Sequence, residues 1–122
     1  MWCSVVLCTV MLCCDALVRI ACTEIESWYL GDLVAIESAL SLTNLSRRQV
    51  ARKYREPDTL GNAAQELDRL TSGVYQKVGG SREIGKHLSL EVASNRSKSF
   101  CVFIEGLRRI VNSYVGDQGT TR

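Results

Sequence analysis

The sequence predicts an all-α fold, a small helical bundle of about four helices plus a short basic helix in a crossover. Three observations point there. Apolar residues recur at spacings of three and four along most of the chain. Only residues 88–92 alternate in the manner of a strand, and that stretch is equally compatible with a helix. The composition, 46% apolar and 23% charged with a single proline in 122 residues, is that of one globular domain and argues against disorder or a fibrous repeat.

Residues 1–16 read as a signal peptide and residues 17–122 as a single helical domain. The run 5–14 is an uncharged, predominantly apolar stretch of ten residues, the length of a signal-peptide core and too short to span a bilayer as a helix. Cys14-Asp15-Ala16 places small residues at the −3 and −1 positions, which predicts cleavage before Leu17 and a secreted, extracellular product. Met1-Trp2-Cys3-Ser4 carries no Lys or Arg, so the α-amino group alone supplies the usual positive charge. The competing reading is a buried, cysteine-rich first helix. Two cysteines remain after the leader, and in an oxidising compartment Cys22 and Cys101 either close one disulfide or stay as a pair of buried thiols. Asn44-Leu45-Ser46 and Asn95-Arg96-Ser97 are N-glycosylation acceptors in segments expected to be loops.

The first helix is expected over residues 24–42, where Ile25, Tyr29, Leu33, Ile36 and Leu40 line one face. Its polar complement is wholly acidic, with Glu24, Glu26, Asp32 and Glu37, and reads either as a solvated face or as a contact for a basic receptor surface. A short second helix starts at Ser46, where Ser46-x-x-Gln49 is a capping box and Leu45 and Val50 occupy the staple positions. Glu56-Pro57 ends it. With Arg47, Arg48, Arg52, Lys53 and Arg55 around Val50, Ala51 and Tyr54, this piece belongs on the surface.

Asp58 is the expected N-cap of a third helix, in which Leu60, Ala63, Leu67, Leu70, Val74 and Val78 form the best helical pattern of the chain and Gly79-Gly80 supplies the stop. Gly61 and Gly73 each weaken it by about 1 kcal/mol relative to Ala. Residues 81–93 read as another short helix with Ile84, Leu88 and Val92 inward, and residues 94–99 as a loop. The last helix, residues 99–115, carries Phe100, Phe103, Leu107, Ile110, Val111 and Tyr114 on one stripe and is expected at the centre of the core, with Phe103 and Leu107 as anchors.

The chemistry of catalysis is missing from this pattern. His87 is the only histidine, and neither a phosphate-binding glycine loop, a CxxC pair nor HExxH follows the leader. No enzyme activity, cofactor, metal site or small-molecule substrate is therefore expected. After residue 16 the net charge is +3, fifteen Lys and Arg against twelve Asp and Glu, too slight by itself to imply a polyanionic partner. The alternative of another class is a small helix-turn-helix nucleic-acid-binding protein built on residues 46–70, although its second helix would offer only Arg69 as a basic reader.

The segment Phe103-Ile104-Glu105-Gly106-Leu107-Arg108-Arg109-Ile110-Val111-Asn112-Ser113-Tyr114 resembles the C-terminal helix of short-chain four-helix-bundle cytokines of the interleukin-4, interleukin-13 and interleukin-5 group. The leader, the acidic first helix and the sequons are similar to that pattern, whereas the group's several disulfides are not matched. The resemblance implies a secreted ligand that binds cell-surface receptor chains and signals in immune regulation. It further implies receptor contacts at Glu26, Asp32 and Glu37 on the first helix and at Arg108 and Arg109 on the last.

Overall fold

The computed structural model describes residues 24–117. Six α-helices and three short 3-10 turns make up this part of the chain, with no strand among the described residues, and the fold is all-α.

Where one helix is expected over residues 24–42 there are two, α1 (Glu26–Leu30) and α2 (Leu33–Ala39). Asp32 divides them. It leaves helical geometry (φ −138°, ψ 80°) and its Oδ1 accepts the Ala35 N–H at 3.2 Å, so a short acidic side chain inside an apolar pattern caps a new helix instead of continuing the old one. Gln49 fills the break. Its Oε1 accepts the Leu33 N–H at 2.7 Å, and its Nε2 donates to Leu30 O at 3.1 Å and to Tyr54 O at 2.8 Å.

The Ser46-x-x-Gln49 capping box consequently does not form. The Ser46 N–H donates to Glu37 Oε2 at 2.7 Å, and Val50 is exposed rather than stapled to the buried Leu45. Ser46–Val50 is a 3-10 turn, and α3 (Arg52–Arg55) is a single turn that buries Tyr54. Pro57 then opens another 3-10 turn, Pro57–Thr59.

The stripe over residues 58–78 is also divided. α4 (Ala63–Leu70) buries Ala63, Leu67 and Leu70, but Ser72 and Gly73 take positive φ (53° and 79°) and the Gly73 N–H closes onto Asp68 O at 2.9 Å. Val74 and Val78 are left exposed. Gly79-Gly80, expected as a stop, lies in the first turn of α5 (Lys77–His87). Tyr75 explains this: a Cβ on Gly80 would stand 2.7 Å from the Tyr75 ring, so the missing side chain makes room for the aromatic. A 3-10 turn, Val92–Ser94, precedes α6 (Lys98–Asp117), the longest helix.

The core joins α1, α2, α4 and α5. Leu30, Leu33, Ile36, Ala63, Leu67 and Ile84 are fully buried, and Leu45, Tyr54 and Tyr75 close the cluster from the connecting segments. α2 packs on α5 and α1 on α4. The last helix, expected from its stripe at the centre of the core, instead packs chiefly through its first two turns. Phe100 and Ile104 are buried and Phe103, half-buried, stacks on Trp28 with ring centroids 5.0 Å apart; Leu107 is exposed rather than an anchor of the core.

Candidate functional site

Two of the three acidic residues expected to face a receptor are internal. Glu26 is 1% exposed, and its Oε1 accepts the Tyr75 hydroxyl at 3.1 Å. Burial pushes the Tyr75 phenol up to about 12, and the Glu26 charge works in the same direction against the Ser81 hydroxyl. Asp32 is buried as well: Oδ1 caps α2, and Oδ2 accepts the Ser89 N–H at 3.2 Å. Glu37 stays half-buried, and the Ser46 N–H, with the Ser46 hydroxyl, holds its carboxyl below the ordinary range. Glu24 Oε2 accepts the Ala64 N–H at the start of α4, 2.8 Å away. Each carboxylate thus meets a donor from a distant segment, and Glu26 and Asp32 cannot belong to an exposed acidic face.

A further buried acid gathers the cations of the neighbouring segment. Glu66 accepts the Tyr54 hydroxyl at 2.5 Å and lies 2.7 Å from both Lys53 Nζ and Arg69 Nη2. Burial raises its pKa, but the bonds from Lys53, Tyr54 and Arg69 outweigh that and bring it to about 2. Lys53 also sits over the Tyr54 ring, 5.0 Å from its centroid. Sequence reasoning missed this lock. Its one legible part was the i,i+3 spacing of Glu66 and Arg69.

The start of α6 absorbs the second sequon. Asn95 is 5% exposed; its Nδ2 donates to Trp28 O at 3.0 Å and its Oδ1 accepts the Ser97 N–H at 2.8 Å. Ser97 Oγ accepts the Phe100 N–H and donates to Asp58 Oδ1 at 2.6 Å, while Asp58 Oδ2 accepts the Ser99 N–H at 2.9 Å. Asp58 therefore serves the last helix rather than capping α4, and the Asn95 amide nitrogen that would carry a glycan is engaged by Trp28 O in the folded chain. Asn44 is exposed, in a left-handed conformation (φ 64°).

Cys101 Sγ lies 3.3 Å from Val92 O and 3.5 Å from Asn95 O. Burial, then the charges of Glu105 and Asp58, push its thiol up, so this is no activated nucleophile. Cys22 and the leader 1–16 lie outside the described residues.

Four of the exposed large apolar residues fall on the distal half of α6. Leu107, Val111, Tyr114 and Val115 are 40%, 57%, 52% and 68% exposed. At helical spacing they continue the face that Phe100 and Phe103 present to Trp28. Of the two expected basic contacts, Arg108 borders this face and donates to Leu90 O at 2.6 Å, with Glu91 3.8 Å away. Arg109, also exposed, lies about 100° further round the helix and turns away from the stripe.

The helix-turn-helix outline is not met by the geometry of residues 46–70. The piece before the turn is a 3-10 turn and a four-residue helix, and α4 presents Arg69 already bound to Glu66. His87 is exposed on α5 with Nδ1 3.0 Å from Glu83 O. Among the described residues no group of three His, Cys, Asp or Glu is placed to hold a metal ion, and no helix is long and apolar enough to cross a membrane.

The domain of unknown function DUF4276 matches residues 12–108, 97 of the 122 residues, and the chain belongs to that family. The matched region takes in residues 12–16 of the expected leader and ends within α6 at Arg108. No curated protein and no solved structure is significantly similar to the chain.

Proposed function

We propose that this member of the DUF4276 family is a binding protein with no catalysis of its own: a secreted, cytokine-like helical ligand that engages a cell-surface receptor chain and signals in immune regulation. The observation that supports the reading is the exposed apolar face of α6, on which Leu107, Val111 and Val115 recur at i, i+4 and i+8. A helix that lays such a face into a partner's groove needs a few apolar anchors and a polar border. Leu107 and Val111 are the anchors, and Arg108 is the border nearest them. Glu26 and Asp32 take no part, because the fold uses them internally.

The test uses the full chain expressed in a secreting cell. The exported product is expected to begin at Leu17 and to bind leukocytes saturably in flow cytometry. The double variant Leu107→Lys/Val111→Lys should weaken that binding by about thirtyfold, the loss of one hot spot, while keeping the wild-type circular dichroism. Retention of the chain inside the cell, or equal binding by the variant, would overturn the reading.

A further inference from the structure

The positive charge of this chain is concentrated in one short segment. Residues 46–57 hold five cations (Arg47, Arg48, Arg52, Lys53 and Arg55) and one carboxylate, Glu56, a net +4, whereas the whole chain is +2. The remaining residues are therefore net negative, and the segment is a local feature rather than a sample of a basic protein.

The fold sorts these cations into two groups. Lys53 is held by Glu66, as is Arg69 of α4. Arg47, Arg48, Arg52 and Arg55 are exposed, and among the described residues none lies within ion-pair distance of a carboxylate. Four like charges within nine residues repel one another, so the segment gains nothing from them in the isolated molecule.

The backbone that carries them is firmly anchored. Gln49 makes three hydrogen bonds into α1, α2 and α3, the Ser46 N–H is held by Glu37, and the Tyr54 hydroxyl is held by buried Glu66. The four guanidinium groups thus project from a preorganised strip whose backbone spans roughly 16 Å at helical rises, and ordering it on binding costs little.

We infer that this strip binds a linear sulfated polysaccharide. Guanidinium groups pair bidentately with oxyanions, and four exposed within nine residues supply the charge density that repeated sulfates along one chain call for. Nucleic acid fits less well. The only aromatic ring of the segment, Tyr54, is buried, so no stacking platform faces a base, and α3 is one turn long, too short to read a groove. Exposed Val50, between the two arginine pairs, offers an apolar contact to a sugar ring. The inference uses residues apart from the α6 face and does not rest on the receptor reading.

The full chain is titrated with a heparin octasaccharide, with the same oligosaccharide chemically desulfated, and with a mixed-sequence DNA duplex of matching length. Heparin should bind most tightly and lose about a hundredfold in affinity between about 50 and about 200 mM salt, the dependence expected for four released counterions; desulfated heparin should not bind. Replacing Arg47, Arg48, Arg52 and Arg55 with Gln should weaken heparin at least about tenfold, and each pair alone at least about threefold, while the four-lysine variant, which keeps the charge but loses the bidentate fork, should fall between the wild type and the Gln variant. The Leu107→Lys/Val111→Lys variant should bind heparin like the wild type, so failure of the receptor reading leaves this readout intact. Heparin affinity unchanged by both arginine pairs, or a duplex bound more tightly than heparin, would overturn the inference.

Discussion

Between the first two helices and the distal half of the last, inside and outside are exchanged. In α1 and α2 the carboxylates of Glu26 and Asp32 are buried, whereas in α6 Leu107, Val111 and Val115 face solvent. The difference comes from what lies opposite. Tyr75 and the Ser89 N–H bring hydrogen-bond donors to the two acids, and a buried charge that keeps its donors is tolerated. The distal turns of α6 contribute no residue to the described core cluster. Periodicity identifies a face; the neighbours decide which face is covered.

The sharpest test of this contrast pairs two leucines. Leu67→Ala, in a fully buried site, is expected to cost about 2–5 kcal/mol in urea unfolding, and Leu107→Ala much less. Equal losses would break the comparison, because α6 would then be covered along its length.

Next in size is Glu66→Gln, expected to cost about 1–3 kcal/mol because Tyr54, Lys53 and Arg69 lose their charged acceptor together. Its pH dependence has a definite sign. The folded carboxyl titrates at about 2 against an ordinary 4.5, so the stabilisation is complete above pH 4.5 and is lost as pH falls from there towards 2. Acid unfolding of the Gln variant should lack this component. Tyr75 acts at the other end: its pKa of about 12 against 10 means stability is lost as pH rises from 10 to 12, and Tyr75→Phe should flatten that limb.

A smaller loss, about 1 kcal/mol, is expected for Ser97→Ala, which removes the side-chain cap at the start of α6. Thermal melts followed by circular dichroism would reveal it, and an unchanged midpoint would mean that Asp58 alone holds the helix start. The smallest effect belongs to the exposed stripe. Val111→Lys should shift stability by less than about 0.5 kcal/mol, and a larger loss would assign that position to the core.

The helical class was legible because apolar spacing reports period directly, and the spacing picked out buried Tyr29, Leu33, Ile36, Ala63 and Leu67, though not Leu30, and it also included Ile25, which is exposed. Helix ends were less legible. Asp32, Ser72 and Gly73 break patterns that look continuous, and Gln49 satisfies the first break from sixteen residues away, a contact that no local motif announces. The exposure of the arginine segment was legible, since so few apolar residues accompany it. The fate of Glu26 and Asn95 was not, because their partners Tyr75 and Trp28 lie 49 and 67 residues off.

The contacts of Trp28 also carry a consequence for the order in which the molecule is made. Every residue of the main core lies between Tyr29 and Ile84, so a nascent chain can close that cluster before α6 has been synthesised. Seating α6 waits for Asn95, Ser99 and Phe100 to return across some seventy residues to Trp28, a loop whose closure entropy must be met by those few contacts. The helix that presents the exposed stripe is thus the last to be fixed. A truncated chain ending at residue 94 should retain the helical signal of the core, and Trp28 emission should move to its final position only when residues 95–104 are restored; a truncated chain without helical signal would show that the core needs α6 from the outset.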